Sequence, residues 1–282
     1  VVFGSFASAG AASFAVVGAP KSGTTSLFRY LAQNADIAAP TRKELHVFRP
    51  VLDGTRAPSG QAEARRQQLS LLDYSTTRGF PRIGPRDFRN ADGSFDCVLT
   101  FDDGPHHSND ATIYDILDAK GIRATFFFLG EQVQANPTTA LTAVNRGHEV
   151  GYHSWDHKNL RAESRETVAE DFRRGMGAFT ALGLQPAFFR PPFGNYNAGI
   201  LEEAATYGLT TVNWTNDSLD WQIKDAEGIV QRVLSLSAPG DIVLLHSIHE
   251  RTVEALPAII DGLRERGCRF TSLETWVARA TS

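Results

Sequence analysis

The chain has 282 residues, 42% hydrophobic and 21% charged, with a formal net charge of −4. That mix sustains a packed core and excludes a disordered or collagen-like chain, and the mild acidity argues against a nucleic-acid binder. Two cysteines are too few for a disulfide-stapled scaffold or a zinc-finger array, and no apolar run reaches the length that spans a bilayer. The charge is unevenly spread. Residues 1–90 hold 12 Lys+Arg against 6 Asp+Glu, whereas residues 91–282 hold 16 against 26. All four Trp and seven of the eight His also lie in the second part, so the chain reads as two pieces.

Residues 1–17 are small and apolar. Ala7-Ser8-Ala9 suits a signal-peptide cleavage site, but the plainer expectation is a strand that leads into the next motif. That motif, Phe14-Ala-Val-Val-Gly-Ala-Pro-Lys-Ser-Gly-Thr-Thr-Ser-Leu27, runs an apolar strand into a Gly/Ser/Thr loop and then into a helical pattern through Leu31. Free backbone N–H groups and a positive helix end suit a phosphate, although the Gly-x-x-x-x-Gly-Lys order of a P-loop is absent. With Pro40–Phe48 the segment resembles the 5′-phosphosulfate loop region of sulfotransferases. The resemblance implies that Lys21 contacts the phosphosulfate while Ser22, Gly23, Thr24, Thr25 and Ser26 cradle it. It covers residues 14–48 only, and the Arg/Ser motif for a 3′-phosphate does not follow, so a phosphate-binding fragment or a remnant is expected. Residues 49–94 read as a linker with loop punctuation and one short helical stretch near Gln61–Leu72.

From residue 95 short apolar runs alternate with helical patterns. The predicted strands are Cys97–Phe101, Ala124–Leu129, Glu149–His153, Phe188–Pro192, Thr210–Trp214, Asp241–His246 and Arg269–Leu273. The predicted helices are Ala111–Lys120, Val133–Arg146, Ser164–Leu182, Ala198–Tyr207, Ala226–Leu236 and Val253–Arg266, several followed by a Gly that suits a helix C-terminus. Repeated β-then-α units imply a parallel sheet, here an α/β fold of the distorted (β/α)7–8 barrel type over residues 95–282. In such barrels reactive groups gather at the C-terminal strand ends. Asp102 and Asp103, His153, Arg190, Asp217 and Asp220, and His246 each lie at or just past the end of a different apolar run.

Thr100-Phe-Asp-Asp-Gly-Pro105 places two adjacent acids after a strand, either a solvated turn with a helix cap or a pair held apart by a cation. His153-Ser-Trp-Asp-His157 spaces two imidazoles by four residues, which on a helical turn puts both on one face within reach of one metal ion. Two His, one carboxylate from Asp102 or Asp103, and an open position make a hydrolytic metal site, with the other Asp as base. Arg190-Pro-Pro-Phe-Gly194 is a rigid turn that can aim a main-chain N–H into the site, and Arg190 could hold a carboxylate by a paired contact. His246 could donate a proton to a leaving group, kept charged by Asp217 or Asp220. Cys97 and Cys268 are expected as buried thiols, although closing strands could bring them together. His106 and His107 read as loop residues beside the substrate groove.

Together Thr100–Pro105, His153–His157, Arg190–Gly194, Asp217-Ser-Leu-Asp-Trp221 and Leu244-Leu-His246 resemble, in order, five motifs of the polysaccharide deacetylases with a NodB homology domain, carbohydrate esterase family 4. The resemblance implies that Asp102 is the general base and that Asp103, His153 and His157 bind a divalent metal, usually zinc. It further implies that Arg190 orients Asp102, that the Phe193 N–H helps hold the oxyanion, that His246 is the general acid tuned by Asp220, and that Trp221 and Leu244 line the acetyl pocket. Phe193, Lys158 and Ser247 stand where the family more often has Tyr, Pro and Asp. The implied activity is removal of acetyl groups from an N-acetylglucosamine-containing polysaccharide, chitin oligomers or peptidoglycan, at a secreted or cell-envelope location. A bifunctional deacetylase/sulfotransferase and an inactive carbohydrate-binding relic are the alternatives.

Overall fold

A computed structural model of the chain describes residues 2–8, 11–17, 47–48 and 88–281. The expected phosphosulfate loop, Lys21 to Ser26, and the helical stretch near Gln61–Leu72 lie outside the described residues. In place of a single strand ahead of that loop, β1 (Val2–Ser8) and β2 (Ala11–Val17) pair antiparallel as a hairpin.

The main sheet is built in the order β3-β8-β7-β6-β5-β4-β10-β9, with β11 pairing the start of β4. Its strands are β3 (Val47–Phe48), β4 (Phe95–Gly104), β5 (Thr125–Phe128), β6 (Glu149–Tyr152), β7 (Phe188–Phe189), β8 (Thr210–Val212), β9 (Asn216–Asp217), β10 (Ile242–His246) and β11 (Cys268–Phe270). Every pairing from β4 to β11 is parallel, and β3 joins β8 antiparallel. The helices are α1 (Asn109–Ala119), α2 (Gly130–Ala135), α3 (Pro137–Asn145), α4 (Arg165–Ala181), α5 (Ala198–Thr206), α6 (Ala226–Leu236), α7 (Glu250–Glu265) and α8 (Leu273–Thr281). The result is the expected distorted β/α barrel, a curled parallel sheet with helices around it.

Period-two alternation sorts the strand residues between two surfaces. Cys97, Leu99 and Phe101 of β4, Phe126 and Phe128 of β5, and Val243 and Leu245 of β10 pack outward with α1 and α7. Val98, Phe127, Phe188, Val212 and Ile242 form a second, inward cluster. The same phase turns Thr100 and Asp102 of β4, and Leu244 and His246 of β10, away from the helices. Helix α8 buries Trp276, Val277 and Ala280 in this inner cluster, with Trp276 stacked on Phe88 at 4.7 Å. Packing therefore reaches back to Phe88, seven residues ahead of the expected domain start at 95.

Local signals fix the helix ends. Ser164, Asn197 and Asp225 accept the N–H of Thr167, Ile200 and Gly228 and cap α4, α5 and α6. The single helix expected over Val133–Arg146 is two, because Pro137 cannot donate into a continuous helix and starts α3 instead. Gly175 of α4 lies so close to the Tyr152 ring that a Cβ would sit 2.2 Å from it. Cys97 and Cys268, expected as thiols, are joined in a disulfide with their Cα atoms 5.9 Å apart. The lateral pairing of β11 with β4, in which Phe270 lies opposite Cys97, brings the two strands to bonding distance.

Candidate active site

The register of β10 against β4 places His246 directly beside Asp102. The C-terminal ends of β4, β6, β7 and β10 thus deliver Asp102, Asp103, His153, Arg190 and His246 to one mouth of the barrel. Nε2 of His153 and Nε2 of His157 each lie 3.4 Å from Oδ1 of Asp103. One donor atom from each of these three residues falls within 4.8 Å of the others, the one such group of His, Cys, Asp or Glu side chains among the described residues.

The donor set suits a divalent cation. Oδ1 of Asp103 is buried without a hydrogen-bond partner, a cost that a cation at this point would remove. Nδ1 of His153 donates to the Arg190 carbonyl at 2.6 Å, which fixes the tautomer that leaves Nε2 free as a ligand. Two imidazoles and one carboxylate match zinc or a similar transition metal. Burial opposes ionisation of Asp103, but the neighbouring imidazoles of His153, His246 and His157 hold its carboxyl well below the usual range. Burial and the charge of His153 lower the His157 pKa, which favours its neutral, ligating form.

The geometric reason expected for the His pair is corrected. Residues 153–157 are not helical. Ser154 (φ 73°) and His157 (φ 61°) take left-handed backbone conformations, and the Ser154 hydroxyl accepts the His157 N–H at 3.0 Å. A tight turn, rather than a helix face, brings the imidazoles to 5.1 Å between ring centres. Asp103 (φ 73°), Phe193 (φ 59°) and Leu219 (φ 52°) complete the set of positive-φ non-glycine residues among the described ones, and all five belong to the motif loops. Such conformations cost on the order of 1 kcal/mol or more each and persist where the surroundings enforce them.

Asp102 is buried and accepts from Nη1 of Arg190 at 2.7 Å. The contact is single rather than the paired one expected, because the remaining guanidinium donors go to the Thr100 hydroxyl and the carbonyls of Val212 and Asn213. Burial lowers the Arg190 pKa against the opposing pull of Asp102. The choice between Asp217 and Asp220 resolves by position. Oδ1 of Asp217 accepts the Leu219 N–H, whereas Oδ1 of Asp220 meets Nδ1 of His246 at 2.6 Å. Oδ2 of Asp220 accepts both the His246 N–H and the Thr252 hydroxyl at 2.7 Å. Burial alone would lower the His246 pKa, yet the hydrogen bond and charge of Asp220 push it up to about 9.

At the rim, Phe193 is 60% exposed with its ring 4.6 Å from that of His157, and Trp221 is 53% exposed. Leu244 is buried in the wall of β10. Sequence reasoning missed Thr100 as a partner of Arg190, and Arg251 and Thr252 as partners of the Asp220 loop. The only signal for them is three-dimensional.

An α/β barrel with a His-His-Asp donor set beside a buried Asp–Arg pair is the class that this fold and site define. The chain belongs to the polysaccharide deacetylase family, whose profile matches residues 90–212. A chitooligosaccharide deacetylase from Sinorhizobium fredii (strain NBRC 101917 / NGR234) is 31% identical over 220 residues, covering 73% of this chain and 98% of that protein. The peptidoglycan-N-acetylglucosamine deacetylase PgdA of Listeria monocytogenes serotype 1/2a (strain 10403S) is 36% identical over 178 residues, 63% of this chain but 38% of that longer protein. This chain therefore spans about two fifths of that relative. Among solved structures, a family 4 carbohydrate esterase from Streptomyces lividans in complex with acetate superposes with a TM-score of 0.60 at 32% identity, covering 63% of this chain and 92% of that one.

Proposed function

We propose that this chain removes acetyl groups from N-acetylglucosamine units of a polysaccharide, with peptidoglycan or chitin oligomers as the substrate class and acetate as the released product. The observation that carries the reading is the meeting of Asp103, His153 and His157 within 4.8 Å, next to the buried Asp102. These three residues would hold a divalent ion, zinc by the donor set, which when bound supplies Lewis-acid polarisation and an acidified water. Asp102, held by Arg190, accepts the proton of the attacking water. The Phe193 main-chain N–H donates to the oxyanion as it forms. His246, kept charged by Asp220, gives its proton to the departing sugar amine. Trp221 and Leu244 border the space for the acetyl methyl.

A polymer substrate agrees with the exposed aromatic rings at the rim, which offer flat apolar faces to sugars. A wall-type substrate and the Cys97–Cys268 disulfide both support a secreted or envelope location, since disulfides persist where the surroundings are oxidising. Among the described residues no helix is long and apolar enough to cross a membrane.

The test is acetate release from chitin oligomers, peptidoglycan and acetylated xylan, before and after chelation and with zinc added back. The expected result is release from an N-acetylglucosamine substrate that chelation abolishes and zinc restores. Release unaffected by chelation would remove the metal role, and release from none of the three would leave the inactive carbohydrate-binding reading.

A further inference from the structure

The general acid's partner sits on an irregular loop. Strand β9 ends at Asp217, Leu219 is left-handed, and Asp220 follows with no regular element of its own. Nothing in that loop's backbone fixes the rotation of the Asp220 carboxylate. The restraint comes from the His246 N–H at the end of β10 and from the first turn of α7, which follows His246 in the chain. Thr252 is fully buried, and its hydroxyl donates to Oδ2 of Asp220 at 2.7 Å. Its neighbour Arg251 holds the main chain of the same loop, through the Asp220 carbonyl at 2.6 Å and the Trp221 carbonyl at 3.3 Å. One residue grips the carboxylate and the next grips the backbone, both from a 16-residue helix.

The Thr252 hydroxyl has no local role that would explain it. The N-cap of α7 is His249, which makes no side-chain cap. Oδ2 of Asp220 already has a donor in the His246 N–H, so a second is not needed to satisfy a buried charge. What the second donor adds is direction. With Oδ2 pinned from two sides, Oδ1 is held on the line to Nδ1 of His246, and the imidazole is held with it.

We propose that Thr252 is a positioning residue for proton delivery: through Asp220 it holds the His246 ring in the one orientation that turns Nε2 toward the leaving amine. The proposal rests on the deacetylase reading for its catalytic consequence but not for its geometry. Two measurements separate these.

The first is steady-state kinetics of Thr252→Val and Thr252→Ser. Loss of such a supporting contact lowers rates about 10–100-fold. The expected result is a fall of that size in kcat for the Val variant, with KM within about twofold, and recovery in the Ser variant, which keeps the hydroxyl. The second is the downfield proton resonance of the His246 Nδ1–H, assigned by its loss in His246→Gln. It is expected to disappear or broaden in Thr252→Val and to persist in Thr252→Ser. Should the Val variant not fold, Thr252→Cys set against Thr252→Ser makes the same comparison.

A Val variant that keeps both the resonance and the rate would overturn the proposal. So would Val and Ser variants that lose activity equally, because packing and not the hydroxyl would then be responsible. If the wild-type chain deacetylates nothing, the resonance alone decides the positioning role, and the functional reading fails separately.

Discussion

In the proposed mechanism Asp102 is the base, and the single Arg190 contact aims its carboxylate. Asp102→Asn keeps an acceptor oxygen for Arg190 and removes the capacity to take a proton. Activity is expected to fall on the order of 10²–10⁴-fold with the far-UV circular dichroism unchanged. A variant within tenfold of wild type would assign the base elsewhere. His246, the proposed acid, must arrive protonated. With its pKa pushed up to about 9, it keeps its proton through neutral pH, and kcat/KM is expected to decline as pH rises past about 9. Asp220 raises that pKa, so Asp220→Asn is expected to move the alkaline limb toward lower pH, and an unmoved limb in the pH–rate profile would detach Asp220 from the acid. The residue types of this site were legible in the sequence because acids and imidazoles stood at the ends of apolar runs. Their geometry was not. The His153–His157 pair converges through two left-handed residues, and no spacing rule announces a positive φ at Ser154 or His157. Thr252 was invisible for a related reason: its one informative contact is with a residue 32 positions away.

The elements were legible where local chemistry specifies them. Residues 226–236 were expected as a helix and are one, with Asp225 accepting the Gly228 N–H at its start. Helix α8 was missed because the strand expected over Arg269–Leu273 ran through its cap, Ser272, whose hydroxyl accepts the Thr275 N–H. Glu149, on β6, accepts the N–H of Leu273 and of Glu274 and so adds to that cap from a distant strand. The same β5–β6 region holds an acid-sensitive packing element. His148 is buried between Tyr114 of α1 and Phe126 of β5, with its ring centre 5.3 Å from each. Nε2 of His148 has no partner among the described residues, and burial together with the charge of Arg123 lowers its pKa to about 4. A folded pKa below the unfolded value of 6.5 contributes stability that is present above pH 6.5 and is lost as pH falls toward 4. The lost amount is on the order of 3 kcal/mol, at about 1.4 kcal/mol per unit. Melting temperatures at pH 7 and pH 4.5 should therefore lie further apart in the wild type than in His148→Phe, which keeps a stacked ring and cannot charge. Equal separations would place the acid sensitivity in other groups.

At the scale of the whole molecule, the disulfide decides how the barrel's first and last strands stay together. Cys97 and Cys268 are 171 residues apart in sequence, and the bond joins β4, an interior strand of the sheet, to β11, which pairs with it only over Phe95–Cys97. A three-residue ladder is a weak hold on the segment that carries α8 into the inner cluster. The covalent link removes much of the freedom that this long loop would have when unfolded, an effect typically of about 2–4 kcal/mol. Both sulfurs lie at the start of β4, whereas Asp102 and Asp103 are near its other end, so the bond supports the barrel without touching the reactive groups. Urea unfolding with and without reductant is expected to show a lower midpoint when the bond is open. The Cys97→Ala, Cys268→Ala double variant should match the reduced wild type and be indifferent to reductant. At temperatures well below its transition that double variant should retain the wild-type rate of acetate release. A midpoint that reductant leaves in place would mean that β11 and α8 are held by packing alone, and the stabilising role assigned to the bond would fall.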